Sequence, residues 1–288
     1  MPLISTFGAG SAKGFGQARG GAPQYIIASG GTITYSGDYA IHTFLGSGSF
    51  EVESIGDLSN SKVDYLVVAG GGGPAPSGGH GGGGGFRESQ LLATSGTYTA
   101  SPLATPVSLD VTETTYPVTV GAGGVNPGGL TTPGTQGASS VFNGITSAGG
   151  GGSGVGHYSQ PVKGSPGLPG GSGGGSGGYP AANVPGTGGT GNTPPTSPPQ
   201  GNPGGKWASG GAISAGSNPA GNYPTSTAGN GAGTQINPTG TIGGDGPNGT
   251  LRYFSAGNGA IGGDGSNAVA NGGTSNYSGS VQIRYRTK

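Results

Sequence analysis

Apolar and polar positions alternate with a two-residue period at several places in this chain, the signature of a half-buried β-strand. Ile41, Thr43 and Leu45 fall on one face of such a segment, Phe50 and Val52 on one face of the next. At the end of the chain Val281, Ile283 and Tyr285 alternate with Gln282, Arg284 and Arg286. The pattern predicts two short strands around a Gly-Gly turn at Gly30 and Gly31, then a hairpin in which I-H-T-F-L and S-F-E-V-E flank G-S-G. Val63 to Ala69 is more continuously apolar, which predicts a central strand covered on both faces. L-L-A-T-S-G-T-Y-T-A, P-V-S-L-D-V-T-E-T-T and Y-P-V-T-V read as three further strands, and A-S-S-V-F-N-G-I-T-S-A as a strand or hairpin. A strong last strand so far from the others implies that the chain closes back onto its own sheet.

Between these segments the alternation vanishes into glycine. Val63–Ala69 runs straight into G-G-G-G-P-A-P-S-G-G-H-G-G-G-G-G, and the strand before Gly149 does the same. The chain holds 74 Gly and 23 Pro in 288 residues, a share that normally reads as low complexity or disorder. Disorder usually comes with high net charge, and here the net charge is +0. A solvated glycine run loses more entropy on ordering than any other sequence. It orders only where many runs pack backbone against backbone, as in collagen, where only glycine fits the crowded axis. The glycine therefore reads as filler for close-packed polyproline-II-like strands, with a flexible linker as the alternative. The expected fold is mainly β: a small antiparallel β-sandwich or jelly-roll-like scaffold, a glycine-rich polyproline-II (polyglycine-II) bundle, and essentially no α-helix.

Four regions follow: a tail over 1–22, a β scaffold with short glycine-rich excursions over 23–148, a glycine-rich region over 149–249, and closing strands over 250–288. The tail is either an unstructured leader or a docking peptide that orders on a partner, with Phe7 and Phe15 as anchors and Lys13 and Arg19 as its cations. The third region contains too little G-x-y register for a collagen helix, which points to short runs with turns at its Asn-Pro, Tyr-Pro and Ser-Pro pairs.

Little of this supports catalysis, and the expectation is a protein that is not an enzyme and carries no cofactor or metal. Charged residues make up 7% of the chain, too few for the Lys/Arg footprint that nucleic acid requires. Cysteine is absent, which removes disulfides and thiolate metal sites. No apolar run suits a signal peptide or a membrane span, so neither secretion nor membrane insertion is expected. G-N-P-G-G-K-W is no phosphate loop, because Trp207 follows Lys206 where Ser or Thr is required. His42 falls on the polar register of its strand and reads as an ordinary surface or edge histidine. G-G-D-G-S-N-A-V-A, from Gly262 to Ala270, approaches a calcium-binding nonapeptide, but the tandem copies such sites need are missing. Turns made by Asp245, Asn248, Asp264 and Asn267 fit better. The large side chains of the glycine-rich region, His157, Tyr158, Tyr179, Trp207 and Tyr223, either bind a receptor or plug the ends of the bundle.

The series V-D-Y-L-V-V-A-G-G-G-G, Y-P-V-T-V-G-A-G-G, S-S-V-F-N-G-I-T-S-A-G-G-G-G and the closing V-Q-I-R-Y resembles the glycine-rich domain of tailed-phage fibre and adhesin proteins, over roughly Ile33 to Tyr285. The first residues, M-P-L-I-S-T-F-G-A-G-S-A-K-G-F-G, are similar to the start of small virion proteins from phages of marine bacteria. The resemblance implies a virion structural protein, a short tail fibre or adhesin. It would dock to tail or capsid proteins through its N-terminus, form a homotrimer, and meet a host-surface glycan or outer-membrane protein. A capsid or tail decoration protein without a receptor is the first alternative, and a polysaccharide depolymerase the second. The resemblance supplies no catalytic residues.

Overall fold

A computed structural model of the chain describes residues 24–75, 79–129, 131–156, 164–178, 186–217, 227–245, 251–257 and 277–288. A five-stranded and a six-stranded antiparallel sheet pack face to face. The first is ordered β1 (Ile27–Ser29), β4 (Gly48–Ser54), β8 (Thr115–Thr119), β9 (Ser140–Phe142), β10 (Ile145–Ser147). The second is ordered β2 (Thr32–Ser36), β3 (Tyr39–Phe44), β14 (Ser280–Arg286), β5 (Lys62–Val68), β6 (Phe86–Glu88), with β7 (Leu109–Asp110) paired to the start of β5. The last strand thus lies in the middle of its sheet, between β3 and β5, and the closure read from the sequence is realised. Among the described residues helix is confined to the single turn α1 (Leu92–Ser95) and a 3-10 turn at Leu58–Asn60.

Alternation decides which side chains meet between the sheets. Phe50, Val52, Val118 and Phe142 from the first sheet interlock with Ala40, Phe44, Tyr65, Val67, Val281, Ile283 and Tyr285 from the second. Rings stack edge to face at the centre, with Phe50 and Phe142 centroids 6.0 Å apart. Glu51 and Glu53 point outward from β4, so the first sheet is wet on its outer face. The second sheet is covered there as well: Leu66, Val68 and Phe86 pack against Ala232, Ile236 and Phe254 of a small sheet, β11 (Ala232–Thr234), β13 (Arg252–Phe254), β12 (Gly244–Asp245). This double cover is why β5 over 63–68, apart from the buried Asp64, is apolar on both faces, as its sequence predicts.

Three expectations are corrected. The segments around G-S-G do not form a hairpin. β3 pairs with β2 and β14 and β4 with β1 and β8, so residues 45–47 carry the chain from one sheet to the other. Phe44 and Phe50 must both reach the sandwich interior, and crossing between sheets lets both do so. His42 is not a surface histidine. It is fully buried, its Nδ1 2.7 Å from Gly30 O and its Nε2 2.9 Å from Tyr285 Oη, with its ring stacked on Tyr285 and edge-on to Phe50. Burial holds its pKa below the ordinary value. Finally, L-L-A-T-S-G-T-Y-T-A is no strand but α1 and a loop, wrapped around a buried carboxylate described below. Two turns follow the sequence closely. Gly30 (φ +106°) and Gly31 (φ +63°) pass the chain between sheets, and Asn143 (φ +43°) and Gly144 (φ +80°) close the β9–β10 hairpin as a type I′ turn.

Candidate functional site

Where β5 ends, the ladder of the sheet gives way to a different pattern of main-chain bonding. Ala69 N donates to Gly85 O, Gly70 N to Ala138 O and Gly71 N to Tyr277 O; then Gly72 N returns to the first neighbour at Gly82 O, and Gly73 N to the second at Thr135 O. Successive amides point to three neighbours in turn, and the cycle repeats every three residues. The run at 148–155 behaves alike: Gly150 and Ser153 donate to Gly70 and Gly73, Gly151 and Gly154 to Ser172 and Gly175.

The thread at 171–178 is fully enclosed. It donates from Ser172 and Gly175 to Gly83 and His80, from Gly173 and Ser176 to Asn202 and Gly205, and from Gly174 and Gly177 to Leu168 and Ser165. It accepts from Gly151 and Gly154, from Gly186 and Gly189, and from Gly210. Six threads therefore surround one, each joined to it by amide–carbonyl bonds of 2.8–3.1 Å. Their buried backbone groups are satisfied as in a sheet, but in all directions around the axis rather than two.

Glycine is required here for its missing Cβ. None of the glycines at 70–73, 81–85, 149–152 or 173–175 adopts the left-handed backbone. A Cβ on Gly177 would lie 1.8 Å from Val155 O, and one on Gly152 1.9 Å from Gly134 O, contacts no side chain can occupy. Serine is admitted where a thread leaves room: Ser153, Ser172, Ser176 and Ser209 are completely buried. The Pro-rich segment after Gly191 is tied to the sandwich end of this lattice by two amides. Asn192 Oδ1 accepts from Thr196 N and Gln200 N, while Gln200 Oε1 accepts from Ala148 N at 2.7 Å and its Nε2 donates to Pro194 O.

The opposite end gathers the places where threads stop and restart. Ser176 and Gly177 are at its centre. Gly79 and Gly164 lie against them closely enough that a Cβ on either would strike their carbonyls, Gly186 N donates to Gly177 O, and Ser176 N donates to Gly205 O. Gly205 in turn abuts Ser217. The chain thus enters or leaves the intervals 76–78, 157–163, 179–185 and 218–226 at one end of the lattice. Of the five proposed recognition residues, His157, Tyr158, Tyr179 and Tyr223 fall in these intervals, outside the described residues. Trp207 is described: it sits at the same end, 3% exposed, its ring against Gly178 and its backbone N–H donating to Ser176 Oγ. The ring is buried there and not offered to solvent. Phe7, Lys13, Phe15 and Arg19, together with Asn248, Asp264 and Asn267, also lie outside the described residues.

Residues 47–286 match the family profile described as a glycine-rich domain. The chain belongs to the glycine-rich domain family. No curated protein matches this glycine-rich domain. Among its described residues no helix is long and apolar enough to cross a membrane, and no group of three or more His, Asp or Glu side chains is placed to hold a metal ion.

One cluster in this glycine-rich domain escapes the sequence reading. Asp64 is fully buried on the covered face of β5 and accepts hydrogen bonds from Ser89 Oγ (2.8 Å), Ser95 Oγ (2.5 Å), Ser108 Oγ (2.7 Å) and Leu91 N (2.8 Å). Beside it Glu88, 1% exposed, accepts from Ser101 N and Thr234 Oγ1, and burial pushes its pKa up to about 7. Arg284 lies between the rings of Tyr39 and Tyr98 and donates to Ser95 O and Ile236 O. The carboxylates are enclosed by their own chain, so this arrangement pins α1 and the 91–108 loop to the sheet. Its only trace in the sequence is a scatter of serines around α1 that alternation cannot interpret.

Proposed function

We propose that this glycine-rich domain is a virion structural protein, a short tail fibre or adhesin, that holds recognition segments on a rigid main-chain lattice. The observation that carries the reading is the convergence of thread ends described above: the intervals holding His157, Tyr158, Tyr179 and Tyr223 are entered and left at one end of the lattice, away from the sandwich. Such a design separates the segments that meet a partner from the lattice that supports them, because the lattice is bonded through groups every residue possesses. The threads are polyglycine-II helices on this proposal. Support comes from the three-residue cycle of amide donors, from the six neighbours of the 171–178 thread, and from Pro74, Pro166 and Pro203, whose fixed φ suits that conformation.

In this reading the N-terminal segment docks to tail or capsid proteins, the assembly is a homotrimer, and the far end of the lattice meets a host-surface glycan or outer-membrane protein. The resemblance to phage fibres supports each of these assignments. The test is competition: purified full-length chain, added to susceptible bacteria before the particle, is expected to lower adsorption in a dose-dependent way. Adsorption unchanged at saturating protein would overturn the adhesin assignment, and electron microscopy with an antibody to the chain would then separate a decoration protein from a non-virion one. A native mass corresponding to one chain at micromolar concentration would remove the trimer.

A further inference from the structure

We infer that the outer edge of the second sheet carries a binding cleft for a neutral sugar unit, separate from the lattice end invoked above. The cleft, of about 290 Å³, lies between β2–β3 and the segment after Ile236. Thr32, Thr34 and Thr43 stand on one face of the paired strands, with Thr32 directly opposite Thr43. Thr239 and Thr241 face them from the segment beyond.

Asn237 organises this ring of hydroxyls. It is 7% exposed; its Oδ1 accepts from Thr34 Oγ1 and Thr239 Oγ1, and its Nδ2 donates to Thr43 Oγ1, all at 3.3 Å. The amide is thereby fixed before any ligand arrives, and each threonine hydroxyl keeps further donor or acceptor capacity for one. Leu45, which is 53% exposed, and Ile242 supply an apolar wall.

Three features define the chemistry of the occupant. Among the described residues no ionisable side chain lines the cleft, so a charged ligand would lose hydration without a counter-charge. No aromatic ring among the described residues lines it either, so a planar base would have none of these to stack on. Its volume lies at the small end of the range for ligand sites, about 300–1,000 Å³. A single ring bearing several hydroxyls and one apolar C–H face meets all three conditions: a neutral monosaccharide, or the end unit of a neutral chain.

Methyl-labelled full-length protein would be titrated with D-glucose, D-galactose, D-mannose and N-acetyl-D-glucosamine, with D-glucuronate as the charged control. At least one neutral sugar is expected to give saturable shifts confined to the methyls of Thr34, Thr43, Leu45 and Ile242, and glucuronate none. Thr32 and Thr241 are exposed, so the T32V/T241V double variant keeps the fold, as its unchanged melting curve would verify. It should weaken the sugar about tenfold, the loss of two ordinary hydrogen bonds. Failure of every neutral sugar to saturate those methyls, equal shifts from glucuronate, or undiminished binding by the folded double variant would each overturn the inference.

Discussion

At the scale of single residues, the lattice separates two uses of glycine that sequence treats alike. Gly177 has an ordinary backbone but no room, because its Cβ would sit 1.8 Å from Val155 O. Gly177→Ala should cost at least the about 1–3 kcal/mol typical of overpacking, since main chain yields less readily than side chain. Gly46 has neither a left-handed φ nor any atom within 4 Å of its prospective Cβ. Gly46→Ala should be neutral or stabilise by up to about 1 kcal/mol through the unfolded chain. Chemical denaturation of the two variants checks the pair. Glu88 sets a second expectation. Its folded pKa of about 7 exceeds the unfolded value of 4.5, so the folded state binds the extra proton between them. The stability it confers is complete below pH 4.5 and is lost as pH rises through 7. His42, with its lowered pKa, acts in the opposite direction by weakening the fold as pH falls below about 6.5. Glu88→Gln should therefore make the protein relatively more stable at pH 8 than at pH 5, measured against the parent by urea midpoints.

At the scale of elements, the threads should behave as structure rather than linker. The amides of Gly82, Gly83, Gly85, Gly150, Gly151, Ser153 and Gly154 and those at 171–177 donate to main-chain acceptors inside the lattice, so their hydrogen exchange should be as slow as that of β5 and β14. Exchange at free-coil rates would dissolve the lattice. The sequence made the strands legible wherever one face is wet or both are dry: β4, β5 and β14 follow from alternation or its absence. It misled at β3, where polar His42 enters a core because Tyr285 and Gly30 satisfy its ring, pairings set 243 and 12 residues away. It misled again at G-S-G, because a short glycine loop fits a hairpin and a corner between sheets equally well, and only long-range pairing decides. The Asp64 pocket was illegible for the same reason: serines at 89, 95 and 108 acquire a role only once folding brings them around one carboxylate. The threads were legible in kind from composition, yet their order was not, since every glycine run resembles every other.

At the scale of the whole molecule, a sandwich with a conventional core carries a lattice of threads whose interior is mostly glycine and main chain. Its cohesion is polar, main-chain and short-range, whereas the sandwich depends on Phe50, Phe142, Ile283 and their neighbours. That division has a thermal consequence. Heat capacity on unfolding rises with exposed apolar area and falls with exposed peptide, averaging about 12–15 cal/mol/K per residue in ordinary domains. Melting the threads uncovers mostly amide groups. Scanning calorimetry should accordingly give this chain a distinctly smaller heat-capacity increment per residue, and a stability that curves less with temperature than that of an ordinary domain of the same length.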